Sequence, residues 1–206
     1  MDSFTKLTEL FRQFPGIGPR QAKRFVYFLL SREPRFIEEL SSLASALKDE
    51  IRQCKDCFRY FQKRNGAVLC PLCQDPNRST GALMVVAKDT DLESMEKSGV
   101  YEGRYFVLGG TMPLLEAKSP EKLRLKQLLS TVAQRAKAGT LQEIILALSA
   151  NTEGEFTADE LRKAISPLIE GTDIKISTLG RGLSTGSELE YADKETLRSA
   201  LKNRSV

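Results

Sequence analysis

Histidine is absent from the 206-residue chain, and cysteine occurs only four times. A metal site built on these cysteines is therefore an all-thiolate site. The four form two C-x-x-C pairs, Cys54/Cys57 and Cys70/Cys73, with twelve residues between the pairs. Two pairs at this separation bring four thiolates into one tetrahedron, the geometry that Zn²⁺ prefers. The spacing predicts one structural Zn²⁺ per chain, and four thiolates leave no open position for catalysis at the metal.

Two other interpretations of the cysteines, a disulfide framework and a redox motif, have weaker support. A disulfide framework belongs to oxidising compartments, and the amino-terminal residues do not resemble a signal peptide, so a reducing cytoplasm is the expected setting. A redox C-x-x-C motif is expected within a thioredoxin-like βαβ pattern, which does not surround these pairs.

Long apolar runs are also missing, since no stretch approaches the roughly 20 residues of a membrane-spanning helix. The net charge of +4 is unevenly placed. Residues 1–80 hold 14 basic and 9 acidic residues, a net charge of +5, whereas residues 81–206 hold 17 and 18, a net charge of −1. This asymmetry favours an anionic partner, first of all nucleic acid, on the amino-terminal side. A solvated basic surface is the alternative.

Apolar residues at helical spacing predict three amino-terminal helices. The apolar stripe of the first helix is Leu7, Leu10, Phe11 and Phe14, and that of the second is Ala22, Phe25, Val26 and Leu29. The third helix is predicted from about Arg35 to Gln53. Its inward-facing residues are expected to be Ile37, Leu40, Ala44, Leu47 and Ile51. Pro15-Gly16-Ile17-Gly18-Pro19 separates the first two helices.

This glycine turn is a candidate phosphate site. A turn that opens a helix exposes backbone N–H groups at the positive end of the helix dipole, and glycine permits close approach by an anion. The candidate DNA-binding residues are Gly16, Gly18, Arg20, Lys23 and Arg24. The pattern is that of a helix-hairpin-helix, which grips the sugar-phosphate backbone without reading sequence. An ordinary αα-hairpin with glycine as its cap is the alternative.

After a polar linker at residues 75–81, apolar runs alternate with helical stretches. The predicted strands are Ala82–Ala87, Tyr105–Leu108, Glu143–Leu148 and Ile174–Leu179, and the predicted helices lie near Asp91–Ser98, Pro120–Ala138, Ala158–Ile169 and Lys194–Leu201. Such alternation predicts a mainly parallel sheet covered on both faces.

Two acidic groups follow predicted strands. Glu153 and Glu155 flank a glycine after one strand, which is a common way to place Mg²⁺ or catalytic carboxylates, although both also suit a helix amino terminus. Asp89 and Asp91 follow another strand and could equally form a turn and a cap. The glycine-rich loop at residues 180–186 lacks the Gly-Lys-Ser/Thr ending of a phosphate loop, so nucleotide hydrolysis is not expected, and a subunit contact is more plausible.

In this order, the elements resemble the RecR family of bacterial recombination mediators over nearly the whole chain. The resemblance rests on the glycine hairpin, the four cysteines and the segments Ser98–Tyr105, Val107–Gly110, Thr152–Glu155, Gly180–Leu183 and Leu189–Asp193.

The resemblance implies a multi-module α+β and α/β chain. Its expected parts are a helix-hairpin-helix region (1–53), a four-cysteine zinc-finger module (54–80), a TOPRIM-like α/β domain (81–179) and a carboxy-terminal loop and helix (180–206). It also implies a tetrameric ring that clamps single- or double-stranded DNA, works with RecO and RecF in gap repair, and helps to load recombinase.

One position departs from the pattern of catalytic TOPRIM domains. Where the first strand of such domains ends in glutamate, this chain has Ala87 followed by Lys88, while Glu153 and Glu155 remain as the acidic motif and a candidate docking point for RecO. Without the first carboxylate, no complete metal site or general base is expected. The sequence therefore predicts a cytoplasmic, non-enzymatic DNA-binding scaffold. The alternatives are a Mg²⁺-dependent nuclease or topoisomerase-like enzyme and a protein-only adaptor.

Overall fold

A computed structural model describes residues 1–63, 66–114 and 123–204. The chain forms two compact units, Met1–Arg52 and Gln53–Val206. Pro120, the predicted start of one helix, lies outside the described residues.

The first unit is helical. Its helices are α1 (Ser3–Arg12), α2 (Pro19–Leu30) and α3 (Pro34–Glu50). Asp2 caps α1, since its side chain accepts a hydrogen bond from the Thr5 amide at 2.7 Å. Proline at the first position of both α2 and α3 suits a helix start, where its missing N–H has no intrahelical acceptor.

Two details of the predicted helices are wrong. Phe14 lies beyond the end of α1, and Ile51 belongs to a short strand because the helix ends at Glu50. The inward prediction for α3 is also wrong: in the described chain none of its residues is buried, and Leu40 and Leu47 are 44% and 58% exposed. The apolar stripe exists, but the other helices of the first unit leave much of it exposed.

The second unit contains a metal module and an α/β domain. The short strand β1 (Ile51–Gln53), which crosses the boundary between the units, pairs with β2 (Tyr60–Gln62) in one small sheet, and the short helix α4 (Pro71–Gln74) follows. The larger sheet, as described, contains β3 (Ala82–Val86), β4 (Arg104–Val107), β5 (Glu143–Ala147) and β6 (Lys175–Thr178). Its helices are α5 (Asp89–Ser98), α6 (Leu125–Lys137), α7 (Thr152–Ile165) and α8 (Lys194–Lys202).

The predicted parallel sheet is confirmed. Its strand order is β4-β3-β5-β6, and each neighbouring pair described is parallel, with Val85 opposite Phe106 on one side and opposite Leu146 on the other. Side chains alternate between the two faces of a strand, so β3, β4 and β5 each supply both layers of the core.

One face of the sheet packs against α6 and α7. The buried residues of this core include Leu83, Val85, Phe106, Leu128 and Leu161. The other face packs against α5 and the metal module. Its buried residues are Met84, Val86, Tyr105, Val107 and Ala147 from the sheet, with Leu92, Phe61, Cys54, Cys57 and Cys70. The cysteine module thus takes the place that a further helix occupies in many parallel sheets.

Gly154 provides a test of how tightly α7 approaches the end of β5. A Cβ atom at this position would lie 2.0 Å from the Ser149 carbonyl oxygen. We expect Gly154→Ala to lower the free energy of unfolding by about 3 kcal/mol, because the backbone must shift to relieve the overlap. Denaturant unfolding measures the change. Gly180→Ala is the control, since nothing lies within 4 Å of its Cβ position; an equal loss in both variants would contradict the packing.

Candidate nucleic-acid interface and metal centre

The turn between α1 and α2 has the backbone that its glycines predict. Gly16 has φ +77°, in the left-handed region, and the Ile17 amide donates to the Phe14 carbonyl at 3.1 Å. Gly18 occupies the N-cap position of α2, and because glycine has no side chain, no side-chain oxygen accepts from the first amides of the helix. No described atom lies within 4 Å of a Cβ built at either glycine, so the turn is open on its outer side. The first amides of α2 can therefore meet an anion there.

The basic side chains beside this turn are solvent-exposed. Arg20, Lys23 and Arg24 are exposed on α2, whereas Ala22 and Val26 on its other face are buried. Among the described residues none of the three forms an ion pair within 4.0 Å, and Arg24 donates only to Gln21 Oε1, at 3.4 Å. The structure thus brings together, in one unit, an open helix amino terminus and three cations available to an external anion.

The four cysteines meet in one cluster. Their Sγ atoms lie within 4.8 Å of one another, and the Sγ atoms of Cys57 and Cys70 are 3.5 Å apart. A tetrahedral Zn²⁺ with bonds of about 2.3 Å would separate its sulfur ligands by about 3.8 Å. The cluster therefore fits a tetrahedral metal ion, and all four cysteines are free thiols rather than disulfides.

Hydrogen bonding within the cluster makes its thiols unequal. The bond with Cys57 lowers the pKa of the Cys54 thiol, whereas the bonds with Cys54 and Cys70, together with burial, raise the pKa of Cys57. Four thiolates this close repel one another, so a divalent cation at their centre stabilises the ionised form of all four.

The cluster is supported by the chain around it. The Cys70 amide donates to Cys54 Sγ at 3.3 Å, and the Cys54 amide donates to the Arg59 carbonyl at 2.9 Å. Phe58 adopts φ +62°, which turns the chain just after Cys57. Such contacts fix the directions in which the sulfur atoms point.

Polar and aromatic contacts join the metal module to the α/β domain. The Val107 amide donates to the Cys57 carbonyl at 2.8 Å, and the Phe58 and Phe106 ring centroids are 5.1 Å apart. Two further contacts are a hydrogen bond from Tyr60 N to Asp89 Oδ1 at 2.7 Å and an ion pair between Arg135 Nη2 and Asp56 Oδ1 at 3.0 Å. The module is part of the same packed unit as the sheet.

The acidic motif lies in the first turn of α7. Asn151 caps this helix by accepting from the Gly154 amide at 2.8 Å. Glu153 accepts a hydrogen bond from Thr111 Oγ1 at 3.1 Å, and Glu155 forms an ion pair with Arg181. Among the described residues, the cysteines are the only group of three or more potential metal ligands placed close together. The carboxylates of Glu153 and Glu155 are therefore not part of a described cluster for Mg²⁺.

The acidic residues after β3 have structural contacts. Asp91 Oδ2 accepts a hydrogen bond from the Lys88 amide at 2.9 Å at the start of α5, and Asp89 Oδ1 accepts one from the Tyr60 amide. Ala87 is buried at 3% exposure, and its carbonyl accepts from Gly109. The cap interpretation of Asp91 agrees with this geometry.

The carboxy-terminal loop packs against the last helix. Asn203 Nδ2 donates to the Arg181 carbonyl at 2.8 Å, and a Cβ at Gly182 would lie 3.7 Å from the Cα of Ala200. The neighbouring Tyr191 is 80% exposed. Sequence reasoning did not identify Arg181 as the partner of Glu155, because 26 residues separate them and no local spacing links them.

In the part of the chain that the structure describes, no helix combines the length and apolar character needed to cross a membrane.

Comparison with known proteins agrees with this architecture. Models of three families match: the RecR helix-hairpin-helix over residues 4–50, the Toprim domain over residues 81–180 and the RecR carboxy-terminal region over residues 182–205.

Full-length relatives decide the family. A recombination protein RecR of Paracoccus denitrificans is 35% identical over 203 residues, which cover 98% of this chain and 96% of the relative. The RecR protein of Dehalococcoides mccartyi is 37% identical over 97% of this chain and 92% of its own length. The RecR protein of Legionella pneumophila is 36% identical over 100% of this chain and 98% of its own length. The chain belongs to the RecR family of recombination proteins. This confirms the resemblance inferred from the motifs and gives the chain a role in recombination repair.

Proposed function

We propose that this RecR-family chain is a non-enzymatic DNA clamp, which binds the phosphate backbone through the turn before α2. The observation that carries the proposal is the open Gly16–Gly18 turn beside the cations Arg20, Lys23 and Arg24, which form no ion pair with any residue that the structure describes. Backbone amides and cations recognise phosphate on any sequence, so single- and double-stranded DNA are both expected ligands.

The absence of catalysis is part of the proposal. Strand cleavage by a TOPRIM-type site needs converging carboxylates around Mg²⁺. Here Ala87 directly follows β3, Glu155 forms an ion pair with Arg181, and Glu153 accepts a hydrogen bond from Thr111. The acidic motif is better suited to binding a partner, for which RecO is our candidate, with RecF as a second partner.

The same proposal assigns a metal to the cysteines and a function to each region of the chain. We assign one structural Zn²⁺ per chain to Cys54, Cys57, Cys70 and Cys73, with no role in bond chemistry. The functional regions are 1–53 for DNA binding, 54–80 for the metal, 81–179 for the TOPRIM-like domain and 180–206 for a subunit contact. The relatives are bacterial, and we place the protein in the cytoplasm, where bacterial DNA lies.

Self-association supplies the affinity that a single hairpin lacks. A ring of four chains would present several weak phosphate contacts at once, and each contact would raise the effective concentration of the next. An apolar groove of about 430 Å³ on the first unit supports this proposal. It is lined by Phe11, Phe14, Pro15, Ile17, Phe25, Phe28, Leu29, Phe36 and Leu40.

The double variant Lys23→Ala/Arg24→Ala tests the DNA-binding residues. We expect weaker binding by a similar factor on all sequences, because the lost contacts are to phosphates. The slope of log K against log salt should fall by about 2, one for each lost phosphate contact. Fluorescence anisotropy with labelled oligonucleotides at several salt concentrations measures both quantities.

The matched control is Arg162→Ala/Lys163→Ala, which removes the same charge from α7, where both side chains already pair with acidic residues. If the two double variants lose equal affinity, or if Lys23→Ala/Arg24→Ala binds as tightly as the unmodified protein at low and high salt, the proposed placement of DNA is wrong.

The variant Phe28→Ser/Leu40→Ser tests the proposed self-association surface. Both residues are more than 40% exposed in the groove, so we expect the single chain to stay folded while the assembly falls apart. Sedimentation velocity should show a tetramer for the unmodified protein and a smaller species for this variant. Val100→Ser is the control, since Val100 is 78% exposed on the other unit. If the unmodified protein sediments as a monomer both with and without DNA, the proposed clamp is wrong.

A further inference from the structure

Arg104 connects the sheet to the second cysteine pair. It is the first residue of β4, and its guanidinium donates from Nη1 to the Leu72 carbonyl at 2.8 Å and from Nη2 to the Asp75 carbonyl at 2.9 Å. These two carbonyls lie on either side of Cys73 along the chain. One planar, two-pronged donor therefore holds both ends of the segment that carries a metal ligand.

The segment needs this support because α4 is only four residues long. A helix of one turn is not stable by itself, and its last carbonyls have no intrahelical donors. Within α4 the Cys73 amide donates to the Cys70 carbonyl at 3.0 Å, so a shift of the helix would move both ligands. By bonding the Leu72 carbonyl within α4 and the Asp75 carbonyl just after it, Arg104 fixes α4 relative to the sheet.

The charge of Arg104 also suits the site. Four thiolates around one Zn²⁺ carry a net charge of −2 in a partly buried place. Arg104 and Arg78 line a narrow space beside Cys57 and Cys73. Arg78 is paired with Glu96 at 2.5 Å, whereas Arg104 forms no ion pair within the described residues. Its positive charge is therefore available to offset that of the thiolates.

The neighbouring residues hold Arg104 in place. The Tyr101 hydroxyl donates to the Arg104 carbonyl at 3.0 Å, and Arg78 Nη1 donates to the Gly103 carbonyl at 3.0 Å. A Cβ at Gly103 would lie 2.4 Å from the Tyr101 hydroxyl and 2.9 Å from the Ala82 carbonyl oxygen. The segment Tyr101–Tyr105, which the family resemblance includes without a stated purpose, thus orients one side chain toward the metal module.

We propose that Arg104 is a positioning residue for the metal centre: it holds Cys73 in place through the carbonyls of Leu72 and Asp75 and compensates the charge of the four thiolates. The inference rests on the proposed assignment of zinc to the four cysteines. A merely structural role, in which Arg104 fastens the module to the sheet, would lower stability without changing the affinity for the metal.

The test compares zinc release from purified full-length variants. Arg104→Gln removes the charge and the two-pronged donor, and Arg104→Lys keeps the charge but cannot bond both carbonyls in the same way. Arg135→Gln is the matched control, because Arg135 also links the metal module to the domain, through Asp56, but among the described residues its guanidinium has no hydrogen bond to α4. Zinc transfer to a chromogenic chelator gives the rate and the relative affinity, and thermal unfolding gives stability.

We expect Arg104→Gln to lower zinc affinity by about 10- to 100-fold, the usual effect of losing a residue that supports metal ligands, with Arg104→Lys in between. Arg135→Gln should keep the unmodified affinity even if its melting temperature falls. The charge-transfer spectrum of the cobalt-substituted protein should change in Arg104→Gln and not in Arg135→Gln.

Two results would overturn the proposal. One is equal zinc affinity in Arg104→Gln and the unmodified protein, and the other is an equal loss in Arg104→Gln and Arg135→Gln. If Arg104→Gln does not fold, Arg104→Lys decides by the same criteria. The metal content of the unmodified protein is measured first, because a chain without zinc would refute the zinc assignment itself, whereas DNA binding by the first unit is tested separately.

Discussion

A parallel sheet has two apolar faces, and both must be removed from water. In this chain the helices α6 and α7 cover one face, and the metal module, together with α5, covers the other. The module is too small to build a core of its own, so its buried cysteines and Phe61 complete a core whose other half is the sheet. Each part therefore depends on the other, and the thiolate cluster holds the module in the shape that fits the sheet.

This arrangement leaves the proposed DNA contact to a separate unit. The hairpin of the first unit carries its cations on an exposed face and its apolar residues in an exposed groove. In the second unit, the carboxyl edge of the sheet keeps an acidic motif whose side chains already have partners in Thr111 and Arg181. Under the proposed function the α/β domain is a scaffold, and the chain belongs to a family of recombination proteins.

Local patterns predicted most of the secondary structure, because apolar runs and glycine turns act over a few residues. The cysteine spacing predicted the cluster for the same reason. The sequence could not show that the stripe of α3 lies uncovered, since periodicity identifies an apolar face but not what packs on it. It also could not pair Arg181 with Glu155, or Arg104 with the carbonyls of Leu72 and Asp75, because such contacts depend on the tertiary arrangement.

The most direct test of this account is calorimetry of the purified protein with its metal and after removal of the metal by a chelator. If the cysteine module closes the core of the sheet, removal should lower the melting temperature of the α/β unit by about 10 °C, as expected for the loss of a tightly bound ligand. Returning one equivalent of Zn²⁺ should restore it. An unfolding transition that is the same with and without metal would contradict the account.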